Sequence, residues 1–158
     1  MSEEICEGSA APDFDLPTDG GGKLCLSDLR GHAVVLYFYP KDDTTGCTRE
    51  AIDFSRLKDD FEKAGAVVVG VSPDSPVRHD RFRAKHGLSV MLASDETKDV
   101  LQAYGVWKEK SMYGRKFMGV ERSTFLIDNA GTVRQVWRKV KVSGHAEAVL
   151  RVAQSLGS

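Results

Sequence analysis

Cysteine is scarce in this chain, which has three thiols, Cys6, Cys25 and Cys47, in 158 residues. No two of them form a Cys-x-x-Cys pair, and neither a disulfide framework nor a dithiol-exchange motif can be read from their spacing. Long apolar runs are missing too. None approaches the ~18–20 residues that a membrane span requires, and the acidic start "MSEEICEGSAAPDF" lacks the basic and apolar regions of a secretory signal. The cytoplasm is therefore the expected compartment, where thiols stay reduced. There is no excess of positive charge, since the formal net charge is −1. Nucleic acid is not an expected partner, because a binder needs a basic stripe to neutralise phosphates. No Gly-rich phosphate loop appears, as "GGG" at 20–22 precedes no helix. His32, His79, His86 and His145 are scattered without zinc spacing, and surface positions are expected for all four. Neither a metal nor an organic cofactor is implied.

The residues that are present suit one compact domain spanning 1–158, without repeats, low-complexity tracts or long linkers. "PDFDLPTDGGGKLCLSDLRG" suggests short strands around a tight turn at 19–22. "AVVLYFY" (33–39) is continuously apolar and rich in β-branched and aromatic residues, as in a strand buried on both faces. Ala51, Phe54, Leu57, Lys58 and Phe61 follow helical three-four spacing, and Gly65 stops that helix before a second buried strand, "AVVVGV" (66–71). Strand, helix, strand in that order makes the two strands parallel. A helix is expected over 76–86, with Pro76 at its start and Gly87 at its end. Then come a short strand in "SVMLAS", a helix over 96–104, and "RSTFLID" and "TVRQVW" as antiparallel strands joined at "NAG"; a last helix lies near 145–155. The expected fold class is three-layer α/β, with a mixed sheet parallel at one end and antiparallel at the other.

Cys47 stands in "YPKDDTTGCTREA", on the lip of the first buried strand and at the start of a helix. It lies one turn before Ala51, so its sulfur should face the sheet. Helix N-termini offer unpaired N–H groups and a partial positive charge, which favour an anion such as a thiolate. Cysteines in that setting have pKa values lowered from ~8.5 to as little as ~3.5–7.5. Open α/β sheets also bind ligands at the carboxyl ends of their strands. The competing reading, a small buried hydrophobe, is common for free cysteine. Thr44 serves equally as helix cap or reactive-site hydroxyl, and Gly46 allows close backbone approach. Glu50 stands where a thioredoxin-type second cysteine would be, which disfavours disulfide exchange and points to a sulfenic acid instead.

This segment resembles the active site of the peroxiredoxins, whose signature is Pro-x-x-x-Thr-x-x-Cys, here Pro40, Thr44 and Cys47. With "YGVW", "MYGRKFMGVERSTFLID" and "KVKVSGHAEAVL", the chain is similar to the peroxiredoxin Q subgroup, also called bacterioferritin comigratory protein, over nearly its whole length. The resemblance implies a thioredoxin-like fold and a thiol-dependent peroxidase acting on hydrogen peroxide and organic hydroperoxides. It implies Cys47 as peroxidatic nucleophile, Thr44 as a hydrogen-bond partner of the peroxide, Pro40 as a shield for the sulfur, and Arg122 as the active-site arginine. An arginine remains charged and offers directed donors, suited to a thiolate and to charge growing on the leaving oxygen. Glu50 orients Arg122 or Arg49, or favours the first helical turn.

One departure from the subgroup is evident. Many peroxiredoxin Q proteins carry a resolving cysteine five residues after the nucleophile or in the following helix, but here position 52 is Ile52 and the helix over 76–86 has none. Cys25 reads as part of a strand, and Cys6, near a mobile terminus, is able to reach Cys47 of its own or another chain. A one-cysteine cycle, with thioredoxin, glutaredoxin with glutathione, or another small thiol as reductant, is the favoured expectation, in a monomer. A non-catalytic redox sensor is the rival of another class. "WKEKSMYGRKFMG" (107–119) is expected to be exposed, flanking the pocket or a partner surface, or simply packing.

Overall fold

In β3 (Ala33–Phe38) side chains alternate between two cores, as the two-residue period of a strand requires. The computed structural model describes residues 5–156. Val34, Leu36 and Phe38 face one cluster with Phe14, Leu16, Leu24, Leu101 and Tyr104, while Val35 and Tyr37 face another with Phe54, Phe61, Phe82 and Val149. With a core on either side, β3 cannot afford polar residues, which is why its sequence is an unbroken apolar run.

The central sheet also holds β4 (Ala66–Ser72), β5 (Met91–Ser94), β8 (Ser123–Ile127) and β9 (Val133–Trp137), in the order β5-β4-β3-β8-β9. β3, β4 and β5 are parallel, and β8 and β9 antiparallel, as the sequence indicated. One face is covered by α1 (Thr45–Arg56), α2 (Lys58–Lys63), α3 (Pro76–His86) and α5 (His145–Leu156). The other is covered by the hairpin β1 (Asp15–Pro17) and β2 (Lys23–Cys25), turned through a short 3-10 segment at Asp19–Gly21, and by α4 (Asp99–Ala103). These are the three layers of a thioredoxin-like fold.

α3 matches the sequence reading at both ends. Ser75 caps it by accepting a hydrogen bond from the Arg78 amide at 3.3 Å, and Gly87 leaves it in the left-handed conformation at φ 62°. Other boundaries differ. The single helix expected through Phe61 is two, divided at Leu57 (φ −96°, ψ 4°). Neither Gly nor Pro stands there; the bend follows packing, with Phe54 and Phe61 both fully buried and α2 lying against β4. α4 starts three residues later than expected, because Lys98 takes a left-handed conformation and its amide bonds Asp95 O at 3.1 Å in a turn. The Asp95 carboxylate then accepts from the Leu101 amide at 2.8 Å. The segment 107–119 falls within a hairpin, β6 (Trp107–Met112) and β7 (Arg115–Val120), which the sequence reading did not resolve into strands. Its turn places Tyr113 and Gly114 both at positive φ, the backbone twist that two-residue hairpins favour.

Candidate active site

Three ends meet where β3 stops. The loop after Phe38 leads through Pro40 and Thr44 into α1; β8 begins at Ser123, paired with Phe38; and Arg122 immediately precedes it. The Arg122 main chain is fixed by Val140, whose amide donates to its carbonyl at 3.0 Å. Topology therefore brings together Cys47 and Arg122, 75 residues apart in sequence.

Cys47 is 1% exposed and joins the core cluster of Tyr37, Tyr39, Ala51 and Phe54 on the sheet side of α1. Arg122 Nη2 donates to its sulfur at 3.2 Å, and Nη1 donates to Glu50 Oε1 at 2.7 Å. One planar guanidinium thus spans the thiol and the carboxylate, a geometry lysine cannot reproduce. Gly46 leaves room for the approach, since a Cβ there would lie 3.3 Å from Arg122 Nη2, closer than ordinary contact. Burial works against the charged guanidinium, but Glu50 and Cys47 outweigh it and hold Arg122 above its ordinary range. Glu50 is 1% exposed, and burial pushes its carboxyl up to about 7 despite the pull of the Arg122 charge. Glu50 Oε2 and the Tyr37 hydroxyl, both buried, have no hydrogen-bond partner among the described residues.

Thr44 occupies the N-cap position of α1, yet its hydroxyl makes no capping bond and donates instead to Lys41 O at 2.9 Å. That leaves its lone pairs, and the first amides of α1 that precede the Thr48–Thr44 bond, open to a ligand. Pro40 is half-buried at the loop's start and Thr44 is exposed at its end, so Cys47, Arg122, Thr44 and Pro40 share one end of the sheet.

The other thiols lie apart from this end in their bonding. Cys25 Sγ is 3.1 Å from Ser27 Oγ, at the end of β2. Cys6 is exposed, 3.4 Å from Ser9 Oγ, on a segment that is tied rather than loose: Gly8 N donates to Val133 O and Val133 N to Ser9 O, each at 2.8 Å, and Arg138 Nη2 reaches Ile5 O at 2.9 Å. All three cysteines are free.

The expectation of four surface histidines is corrected at two positions. His145 is 7% exposed, 2.8 Å from Thr124 Oγ1, and burial together with the Arg122 charge lowers it to about 4. His79 is 0% exposed and 2.6 Å from Asp42 Oδ2. A signal for His79 existed: it stands three residues before Phe82, the spacing of one helix face, and these two are the buried positions of α3.

A model of the AhpC/TSA family matches residues 8–136. The putative peroxiredoxin Bcp of Coxiella burnetii is 49% identical over 150 residues, covering 95% of this chain and 98% of that protein. The chain belongs to the AhpC/TSA family. Within it, the chain is a member of the peroxiredoxin Q group, the bacterioferritin comigratory proteins. Peroxiredoxin Bcp of Bacillus subtilis is 46% identical over 156 residues, covering 99% of this chain and 98% of that one. A structure of Xanthomonas campestris bacterioferritin comigratory protein, described for its alkyl peroxide reduction, superposes with a TM-score of 0.89 at 44% identity over 100% of both chains. This peroxiredoxin is accordingly an oxidoreductase, a peroxidase that acts on a peroxide and is recycled by a thiol. No helix among its described residues is long and apolar enough to cross a membrane.

Proposed function

We propose that this peroxiredoxin reduces hydrogen peroxide and organic hydroperoxides by a one-cysteine cycle, as a single-domain cytoplasmic monomer. The observation that carries the reading is the Arg122 guanidinium, 3.2 Å from a buried Cys47 sulfur at a helix N-terminus. The Cys47 thiolate attacks one peroxide oxygen; the S–O bond forms as the O–O bond breaks, and the departing oxygen takes a proton to leave as water or an alcohol. Arg122, the Thr44 hydroxyl and the first amides of α1 bind the peroxide and its developing charge, and each such donor is typically worth ~2.7–4 kcal/mol. Pro40 limits water at the sulfur. The alkyl peroxide reduction of the X. campestris relative supports the organic substrates.

An external thiol then attacks the sulfenic sulfur, releasing water and leaving a mixed disulfide, which a second thiol reduces to free Cys47. Thioredoxin supplies both thiols from one protein, and glutaredoxin with glutathione does so from two. Ile52, 42% exposed on α1, and a cysteine-free α3 support an external resolver over an internal one. The bonding of Cys6 and Cys25 to local serines also favours that reading over either as resolver.

Thioredoxin-dependent peroxide consumption by Cys47→Ser, Cys6→Ser and Cys25→Ser is the test. Loss of turnover in Cys47→Ser alone is expected. Loss in Cys6→Ser or Cys25→Ser identifies that residue as the resolver and overturns the one-cysteine cycle, and full activity in Cys47→Ser overturns the site. Stoichiometric oxidation without turnover makes the protein a redox sensor instead.

A further inference from the structure

The loop from Tyr39 to Thr44 must hold the peroxide-facing groups in register with Cys47, because small misplacements of such groups cost large factors in rate. Between Pro40 and Thr45 a single residue is buried, Asp42, at 4% exposed. A buried carboxylate is costly unless it is fully paired. Asp42 is paired on every side. The Tyr39 hydroxyl donates to Oδ1 at 2.6 Å, and His79 Nδ1 meets Oδ2 at 2.6 Å. The Asp42 amide donates to Asp74 Oδ2 at 2.8 Å, and Asp74 is itself held by the Ser72 hydroxyl at 2.7 Å and by Arg78 Nε at 3.3 Å.

His79 closes the arrangement. Its second nitrogen, Nε2, lies 3.0 Å from Ala93 O, so each ring nitrogen sits within hydrogen-bond distance of an oxygen. Through this one pair the loop is fastened to the ends of β3 and β4, to α3 and to β5. The next residue shows why fastening is needed. Asp43 has φ 61°, sparsely populated for a residue other than glycine, and its carboxylate is held by Lys85 Nζ at 2.7 Å and His86 Nε2 at 2.8 Å, again from α3. Asp42, Asp74 and His79 also place possible ligand atoms within 4.8 Å of one another. A cation there would have to displace hydrogen bonds that already engage both His79 nitrogens and both Asp42 oxygens, so the cluster reads as a clamp.

We propose that His79 and Asp42 are positioning residues for peroxide reduction, fixing the loop so that the Thr44 hydroxyl is in place for the peroxide at Cys47. This rests on the peroxidase reading of Cys47 above. The experiment measures, in single turnover, the rate of Cys47 oxidation by hydrogen peroxide, and separately the pH dependence of Cys47 alkylation by iodoacetamide. It compares the wild type with His79→Gln, Asp42→Asn, the double variant and Tyr39→Phe. Both single variants are expected to oxidise about 10–100-fold more slowly, and the double variant no more slowly than the poorer single. Their alkylation profiles should match the wild type, since Arg122 and the helix hold the sulfur independently of the loop. Tyr39→Phe removes one hydroxyl and is expected to slow oxidation severalfold, which keeps the proposal testable if the other variants fail to fold.

Oxidation within about twofold of wild type in the folded variants overturns the proposal. So does an alkylation profile that shifts in step with the oxidation rate, since the pair would then act on the whole site. Failure of the underlying reading is distinguishable, because Cys47→Ser would retain peroxidase activity.

Discussion

Arg122 divides its two terminal nitrogens between a sulfur at 3.2 Å and a carboxylate at 2.7 Å, and each contact constrains the other. Arg122→Lys keeps the charge but loses the fork, and the rate of Cys47 oxidation is expected to fall about 10²–10³-fold, measured by stopped-flow single turnover. Gly46→Ala probes the same contact from the other side. Its Cβ would stand 3.3 Å from Nη2, so the guanidinium must retreat by a few tenths of an ångström, and oxidation is expected to slow about tenfold with little loss of stability. An unchanged rate in Gly46→Ala would show that this approach is not needed. At this scale the sequence displayed Cys47, Thr44, Pro40 and Arg122 through a motif and a resemblance. It left the role of Glu50 open between Arg122, Arg49 and the first helical turn, put His79 at the surface and did not single out Asp42, because a polar residue in a sequence looks alike whether it is solvated or buried with partners.

Elements depend on one another through close contacts as well. Tyr37 stacks on Phe54 of α1 with ring centroids 4.7 Å apart, and on β4 it lies beside Gly70, where a Cβ would come within 2.6 Å of its ring. Gly70→Ala is therefore expected to cost about 1–3 kcal/mol by overpacking, read as a lower urea midpoint. A midpoint equal to wild type would mean that the ring shifts freely. β3, β4 and α3 were legible because apolar run, β-branching and caps all agree locally. The break at Leu57, the late start of α4 and the β6–β7 hairpin were not, since each is set by packing or by a left-handed residue outside the amphipathic pattern.

Over the whole molecule two buried groups set opposite pH slopes. Glu50 is raised from 4.5 to about 7, so its stability contribution is present below pH 4.5 and is lost as pH rises through about 7. His145 is lowered from 6.5 to about 4, so its contribution is present above pH 6.5 and is lost as pH falls through about 4. Between about 4.5 and 6.5 the slopes oppose one another. Urea unfolding against pH should show Glu50→Gln gaining on the wild type as pH rises, by an amount on the order of 3 kcal/mol. His145→Asn should gain on the wild type as pH falls below 6.5. A pH-independent difference in either variant removes that group from the explanation.

Composition and periodicity by themselves determined that this chain forms an α/β domain around two buried parallel strands, because hydrophobic pattern is read locally, a few residues at a time. They also placed Cys47 at a helix start, facing inward. Tertiary structure alone decided which polar groups meet: Arg122 with Cys47 and Glu50, and Asp42 with His79 across 37 residues. Such pairings depend on where strands end after the sheet has assembled. No local pattern specifies them, because the cost of burying each charge is offset only when its distant partner arrives.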